Sequence, residues 1–208
     1  MNTRLANFIS VVLHPLLMPT FLFLILFSLA PTVIGAESLG FLFKIGFIAF
    51  TFFYTFALPA YFIFLLKRWG IIGSIKLENL SDRRIPYFLT AAIYAIVGYI
   101  ILSKNSVLFP CAYILWSISI VIFFVAIISL WWQISAHAAG IGGMIGALAG
   151  IMIQFGETAL FIPLLCLILL AGVIISARLA LNAHTSSQVG MGFLLGVISS
   201  LSSVYVFF

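Results

Sequence analysis

Charged residues are scarce in this chain. Only 6% of its 208 residues are Asp, Glu, Lys or Arg, and the four acidic residues include a single aspartate, Asp82. A chain with so little charge has no hydrophilic stretch long enough to fold as a separate soluble domain. It also offers no carboxylate cluster that would hold a metal ion. We therefore expect neither a metal nor another cofactor.

Cysteine is almost as rare. Cys111 and Cys166 are the two cysteines of the chain, and both lie inside apolar runs. A disulfide framework or a cysteine metal site needs more residues with a defined spacing. The sequence predicts two free, buried thiols.

Apolar residues, in contrast, make up 65% of the chain, which has 22 phenylalanines and a mean hydropathy of +1.35. These values indicate an integral membrane protein. In lipid the backbone must satisfy its own hydrogen bonds, and no segment alternates as a barrel strand would, so the spans are expected to be helices. We predict an all-α, polytopic transmembrane bundle of six to seven spans, forming one integral membrane domain over residues 1–208. The apolar runs cover residues 12–30, 41–66, 87–103, 110–133, 137–155, 158–181 and 188–207.

The net charge of +5 results from nine basic and four acidic residues. A basic balance can indicate nucleic-acid binding, but this chain has no soluble basic surface to carry it. The expected partners are the bilayer, here the bacterial inner (cell) membrane, and an anionic lipid with a phosphate headgroup.

Three polar connections fall on the same membrane face when the seven spans are counted. They are residues 67–86, "KRWGIIGSIKLENLSDRRIP", the junction at 133–137 and the junction at 178–188. Their charged and imidazole side chains can therefore converge at one edge of the bilayer. These residues are Lys76, Arg83, Arg84, His137, Arg178 and His184.

These three stretches resemble, in order, the motifs of the type 2 phosphatidic acid phosphatase family, which shares its core with vanadium haloperoxidases. In "KLENLSDRRIP", Lys76 and Arg83 have the family's spacing, while Pro86 comes late. In "ISAHAAG", Ser135 and His137 match, but the family's Pro and Gly are replaced. The resemblance covers about residues 70–200 and implies the family's helical core there.

The third stretch, "SARLALNAHTSSQ", keeps Arg178 and His184 at the family spacing and has Gln188 where the family has an aspartate. The resemblance implies that His184 attacks phosphorus and that His137 protonates the leaving alkoxide. Gln188 would stand in for the aspartate that orients the nucleophile. The implied phosphate ligands are Lys76, Arg83, Arg84, Ser135 and Arg178.

The expected function is thus a metal-independent membrane phosphatase that hydrolyses lipid phosphates or pyrophosphates through a phosphohistidine. The alternative is a weak or inactive relative that binds or moves anionic lipids, since a neutral Gln188 supplies no charge. Thr185 to Gln188 also matches a helix capping box, which would give Gln188 a structural role. If His184 is the nucleophile, an aspartate at position 188 is expected to raise turnover.

Two further features have structural interpretations. Gly142, Gly146 and Gly150 repeat every four residues in "GIGGMIGALAG", a spacing that lets a neighbouring helix approach closely. His14, which precedes Pro15 in the first span, is interpreted as a packed or interfacial histidine.

Overall fold

The chain folds as a bundle of α-helices in a computed structural model, which describes residues 1–77, 79–104 and 106–207. Seven helical segments in these ranges are long and apolar enough to cross a membrane, which confirms the predicted spans. They run over Thr3–Leu29, Phe41–Arg68, Leu80–Lys104, Phe109–Ile128, Ala136–Phe155, Thr158–Ala180 and Ser186–Phe207. The first begins nine residues earlier than predicted, and the fourth ends at Ile128 because residues 129–135 form turns.

The first two spans are each interrupted. The first consists of α1 (Thr3–Val12), a 3₁₀ turn at Pro15–Leu17 and α2 (Met18–Leu29). A proline cannot donate to the helical ladder, so α1 stops before Pro15, and the His14 ring accepts a hydrogen bond from the Leu16 amide. The second consists of α3 (Phe41–Phe52), a π-helical turn at Phe53–Ala57 and α4 (Leu58–Arg68).

The other five spans contain the longer helices. These are α5 (Leu80–Lys104), α6 (Phe109–Ile128), α7 (Ala136–Phe155), α8 (Phe161–Ala180) and α9 (Ser186–Phe207). α5 packs along α6, while α7 packs against both α8 and α9, and α1 lies on α8. One cluster of buried apolar side chains joins α2, α3 and α5 through α9.

The helices α7 and α9 approach at the predicted glycine repeat. A Cβ on Gly142 or Gly146 would collide with the backbone carbonyls of Phe193 and Val197. The contact is reciprocal, because a Cβ on Gly196 of α9 would collide with the Ala139 carbonyl. The expectation of close packing at this repeat is confirmed, and it fixes the start of α7 beside the start of α9.

The connections sort onto two faces of the bundle. Residues 69–77, 129–135 and 181–185 lie together, and we call this the site face. On the opposite face, the Thr32 hydroxyl donates to the Glu157 carboxylate at 2.8 Å. The cysteines differ from expectation in one respect: both are free and Cys111 is buried, but Cys166 is exposed on α8. Its apolar surroundings in the sequence are therefore those of a lipid-facing helix surface.

Candidate active site

Residues 69–77 bring Lys76 to the site face. Asp82, in the first turn of α5, accepts hydrogen bonds from the amides of Gly73 and Ser74 at 2.8 and 3.2 Å. Asp82 thus holds this loop. Glu78 lies outside the described residues. Lys76 itself is exposed at the end of a cavity described below.

Arg83 is the most deeply placed cation of this region, with 4% of its surface exposed. Its Nε donates to the Leu77 carbonyl at 2.7 Å, and its Nη1 donates to the Ile134 carbonyl at 3.1 Å. The guanidinium therefore joins the loop that carries Lys76 to the turn that precedes α7. Arg84, the next residue, is exposed and does not line the cavity.

Two helices begin side by side at the site face. Ser135 caps α7, where its hydroxyl accepts from the Ala138 amide at 3.4 Å, and its own amide donates to the Gln188 carbonyl at 3.2 Å. Thr185 caps α9 through the reciprocal pair of a capping box: its hydroxyl accepts from the Gln188 amide, and the Gln188 Oε1 accepts from the Thr185 amide at 3.0 Å. Both Ser135 and Gln188 thus serve as helix caps, and neither lines the cavity.

His184 is held by a backbone carbonyl. Its Nδ1 lies 3.0 Å from the carbonyl oxygen of Gln133, which can only accept, so Nδ1 carries the proton and Nε2 has the lone pair of the neutral ring. The Gln133 side chain also donates to the Ala183 carbonyl at 3.4 Å. The backbone carbonyl of Gln133 thus orients the His184 ring.

The charge state of His184 follows from its surroundings. Burial lowers its pKa to about 4, and the positive charges of Arg83 and Arg178 act in the same direction. The contacts with the Gln133 carbonyl and with the Gln188 side chain oppose this shift but do not cancel it. The ring is therefore neutral near pH 7, with Nε2 available to attack an electrophile.

His137 and Arg178 meet at Ser10 of α1. The His137 Nε2 donates to the Ser10 carbonyl at 3.0 Å, and the Arg178 Nη1 donates to the Ser10 hydroxyl at 3.3 Å. His14 lies beside them, with its ring centroid 5.7 Å from that of His137 in an edge-to-face arrangement. All three histidines of the chain thus lie at this site.

A cavity of about 840 Å³ connects these groups. Lys76, Arg83, His137, Arg178 and His184 line it, so five of the eight residues proposed from the sequence share one space. The other three, Arg84, Ser135 and Gln188, are outside its lining. Further polar residues that were not proposed for the site also line the cavity, among them His14, which was interpreted as a packed or interfacial histidine: Asn7, Ser10, His14, Tyr87, Gln133 and Asn182.

The cavity also extends from this polar end into the membrane. Along α7 its lining runs from His137 to Ala147, which is about 15 Å at 1.5 Å per residue. Leu22, Val121 and Val204 are among the apolar side chains that enclose the deeper part. The cavity is thus polar at the site face and mainly apolar deeper in the bundle.

The described parts of the chain bring no three His, Cys, Asp or Glu side chains into a group that could hold a metal ion. No protein-family model, curated protein or solved structure matches the chain.

Proposed function

We propose that the protein is a membrane phosphatase that hydrolyses lipid phosphates or diphosphates through a phosphohistidine on His184. The observation that carries this proposal is the neutral His184 ring, whose Nδ1–H is bonded to the Gln133 carbonyl and whose Nε2 is therefore the nucleophilic nitrogen. It lines the same cavity as Lys76, Arg83 and Arg178. A nucleophile among cations is what attack on a phosphate dianion requires.

The three cations would bind the phosphate together in this reaction. A phosphate has oxygens that point in several directions, so planar guanidinium groups and an ammonium can bind it together. Arg83 is fixed by two carbonyls and Arg178 by Ser10, which makes their charges pre-organised. Phosphoryl transfer depends mainly on such positioning and on charge stabilisation.

The reaction balances with two histidines and water. His137 takes up a proton on Nδ1 as the phosphate dianion binds. The His184 Nε2 lone pair then forms a bond to phosphorus while the bond from phosphorus to the lipid oxygen breaks, and His137 gives its Nδ1 proton to that oxygen. Water then attacks the phosphohistidine, and His137 takes a proton from it. The products are the dephosphorylated lipid and inorganic phosphate, and release of the Nδ1 proton of His137 returns both rings to their starting states. This sequence uses no metal.

A lipid substrate is favoured by the form of the cavity. Its apolar part continues for about 15 Å from His137 along α7, which would accommodate an acyl or isoprenoid chain within the membrane. Its polar end is at the site face, where a headgroup meets water. The resemblance to the type 2 phosphatidic acid phosphatase family leads to the same substrate class, and we propose the chain as a divergent relative of it.

A second candidate function is the binding or movement of anionic lipids without turnover. It is favoured by Gln188, which caps α9 and provides no negative charge beside His184. In this case the cations and the cavity would bind a phosphate headgroup, but His184 would not be phosphorylated.

Phosphate release by the purified protein separates the two. Phosphatidic acid, phosphatidylglycerol phosphate and a polyprenyl diphosphate in detergent micelles are the substrates to test. The proposal predicts release that is abolished in His184→Ala and inhibited by vanadate, which imitates five-coordinate phosphorus. Saturable binding of these lipids without release supports the second candidate, and release that persists in His184→Ala contradicts the first.

A further inference from the structure

Ser10 lies on the first membrane span, far in the sequence from the three motifs, yet it contacts two groups of the site. It is buried, with 7% of its surface exposed. Its carbonyl accepts from the His137 Nε2 at 3.0 Å, and its hydroxyl accepts from the Arg178 Nη1 at 3.3 Å. The packing of α1 on α8, the helix that carries Arg178, keeps Ser10 in this place.

The carbonyl contact determines which nitrogen of His137 can work. A carbonyl oxygen only accepts, so the neutral ring keeps its proton on Nε2 and its lone pair on Nδ1. Nδ1 is then the nitrogen that exchanges a proton with the substrate or water, while Nε2 stays bonded to Ser10. His184 has the opposite arrangement, since its Nδ1–H donates to the Gln133 carbonyl and Nε2 is left free for attack.

The contact with the Ser10 hydroxyl restricts the orientation of the Arg178 guanidinium. A guanidinium on a long side chain binds phosphate well only when its fork is held in one orientation. Ser10 provides a buried acceptor for one arm of that fork from a helix other than α8. One residue of α1 therefore sets the proton position of the acid–base histidine and the orientation of a phosphate-binding arginine.

We propose that Ser10 is a positioning residue of the site, whose carbonyl fixes the His137 proton on Nε2 and whose hydroxyl holds Arg178. This assignment rests on the proposed phosphatase function. It makes the first span, which lies outside the stretch covered by the family motifs, a part of the active site.

The proton position can be measured without any turnover. The chain has three histidines, so ¹⁵N-histidine labelling of the protein in detergent gives three rings, and the His137→Asn and His184→Asn variants assign their resonances. At pH 7.5 we expect His137 protonated on Nε2 and His184 protonated on Nδ1. A His137 ring protonated on Nδ1, or divided equally between both forms, overturns the carbonyl contact.

The hydroxyl is tested by Ser10→Ala, which removes the acceptor of Arg178 and leaves the backbone carbonyl. Loss of one hydrogen bond to a charged group is expected to raise KM about tenfold with kcat changed less than threefold. Ser10→Thr, which restores a hydroxyl, should return KM to within about threefold of the wild type on the same reasoning. Ser28→Ala is the matched control, because Ser28 is on the same span and its hydroxyl donates to the Leu24 carbonyl, outside the cavity.

The outcomes separate this inference from the proposed function. If the wild type releases phosphate while Ser10→Ala and Ser28→Ala have equal KM values, the role of the hydroxyl is refuted and the phosphatase proposal stands. If the wild type releases no phosphate from any substrate, the phosphatase proposal fails and Ser10 has no reaction to serve. The histidine spectra then still decide whether its carbonyl fixes the His137 proton.

Discussion

Arg83→Lys tests how the site is held together. Arg83 donates hydrogen bonds to two carbonyls at once, those of Leu77 at 2.7 Å and Ile134 at 3.1 Å. A lysine keeps the charge, but its compact ammonium cannot reproduce the fork that reaches both. One buried carbonyl then loses its donor, which costs about 1–3 kcal/mol of folding free energy.

The same change should affect activity, because each carbonyl belongs to a neighbour of a site residue. Leu77 follows Lys76, and Ile134 follows Gln133, whose carbonyl holds His184. If a similar free energy is lost from the transition state, kcat/KM falls about 10- to 100-fold, at 1.36 kcal/mol for each factor of ten.

The assays are phosphate release for kcat/KM and thermal unfolding in detergent for stability. Arg84→Lys is the matched control, since Arg84 is adjacent in sequence but exposed and outside the cavity. We expect that control to behave as the wild type. Equal losses in the two variants, or an Arg83→Lys protein within twofold of the wild type in both assays, would refute the argument that Arg83 organises the site.

Three further predictions concern packing, capping and protonation. Gly196→Ala should lower the free energy of unfolding by about 1–3 kcal/mol, because the new Cβ collides with the facing helix α7. Gly190→Ala is the control, since a Cβ there would meet no neighbouring atom within 4 Å. Equal thermal stabilities of the two variants would contradict the close approach of α7 and α9. Gln188→Ala should lower the free energy of unfolding by about 1 kcal/mol, because it removes the acceptor of the Thr185 amide in the capping box, whereas Gln188→Glu keeps that acceptor. Equal thermal stabilities of the two variants would contradict the capping role. Burial and the charges of Arg83 and Arg178 lower the pKa of His184 to about 4, so in a ¹⁵N titration its ring should stay neutral from pH 8 to pH 5. Because the unfolded chain binds this proton more readily, the free energy of unfolding should rise with pH between about 4 and 6.5. A titration midpoint at 6.5 would refute the burial of His184 among cations.

The capping geometry also changes the expectation for an aspartate at position 188. From the motif alone, Gln188→Asp should raise turnover by restoring the family's orienting group. In the structure the His184 Nδ1 proton is already bonded to the Gln133 carbonyl. We therefore expect no increase in kcat, and a large increase would mean that the carbonyl is a poor replacement for a carboxylate.

The bundle could be predicted from the sequence because lipid leaves the backbone few alternatives. Apolar runs of sufficient length must be helices there, and their number assigns each polar connection to a face. The glycine repeat in α7 was informative for the same reason, since close helix packing in membranes needs small residues. The ends of the spans were less predictable, as at Ile128, where residues 129–135 form turns that carry site groups.

Some parts of the site could not be found in this way. The acceptor of His184 is the backbone carbonyl of Gln133, and every residue has a carbonyl, so no residue type indicates it. Ser10 and His14 are on a span that shares no motif with the rest of the site, and only the packing of α1 on α8 brings Ser10 to Arg178. A histidine before the proline that breaks the first span was a usable indication of a polar site, because the break interrupts the helix within the membrane.

The measurement that tests the central claim most directly is the trapping of the covalent intermediate. Wild-type protein is mixed with a ³²P-labelled lipid phosphate, quenched in base, where phosphohistidine is stable, and digested to locate the label. The account predicts label on His184, no label in His184→Ala, and slower loss of the label once formed in His137→Ala, because His137 would activate the water that removes the phosphate. Turnover without any labelled histidine, or label on another residue, would contradict it.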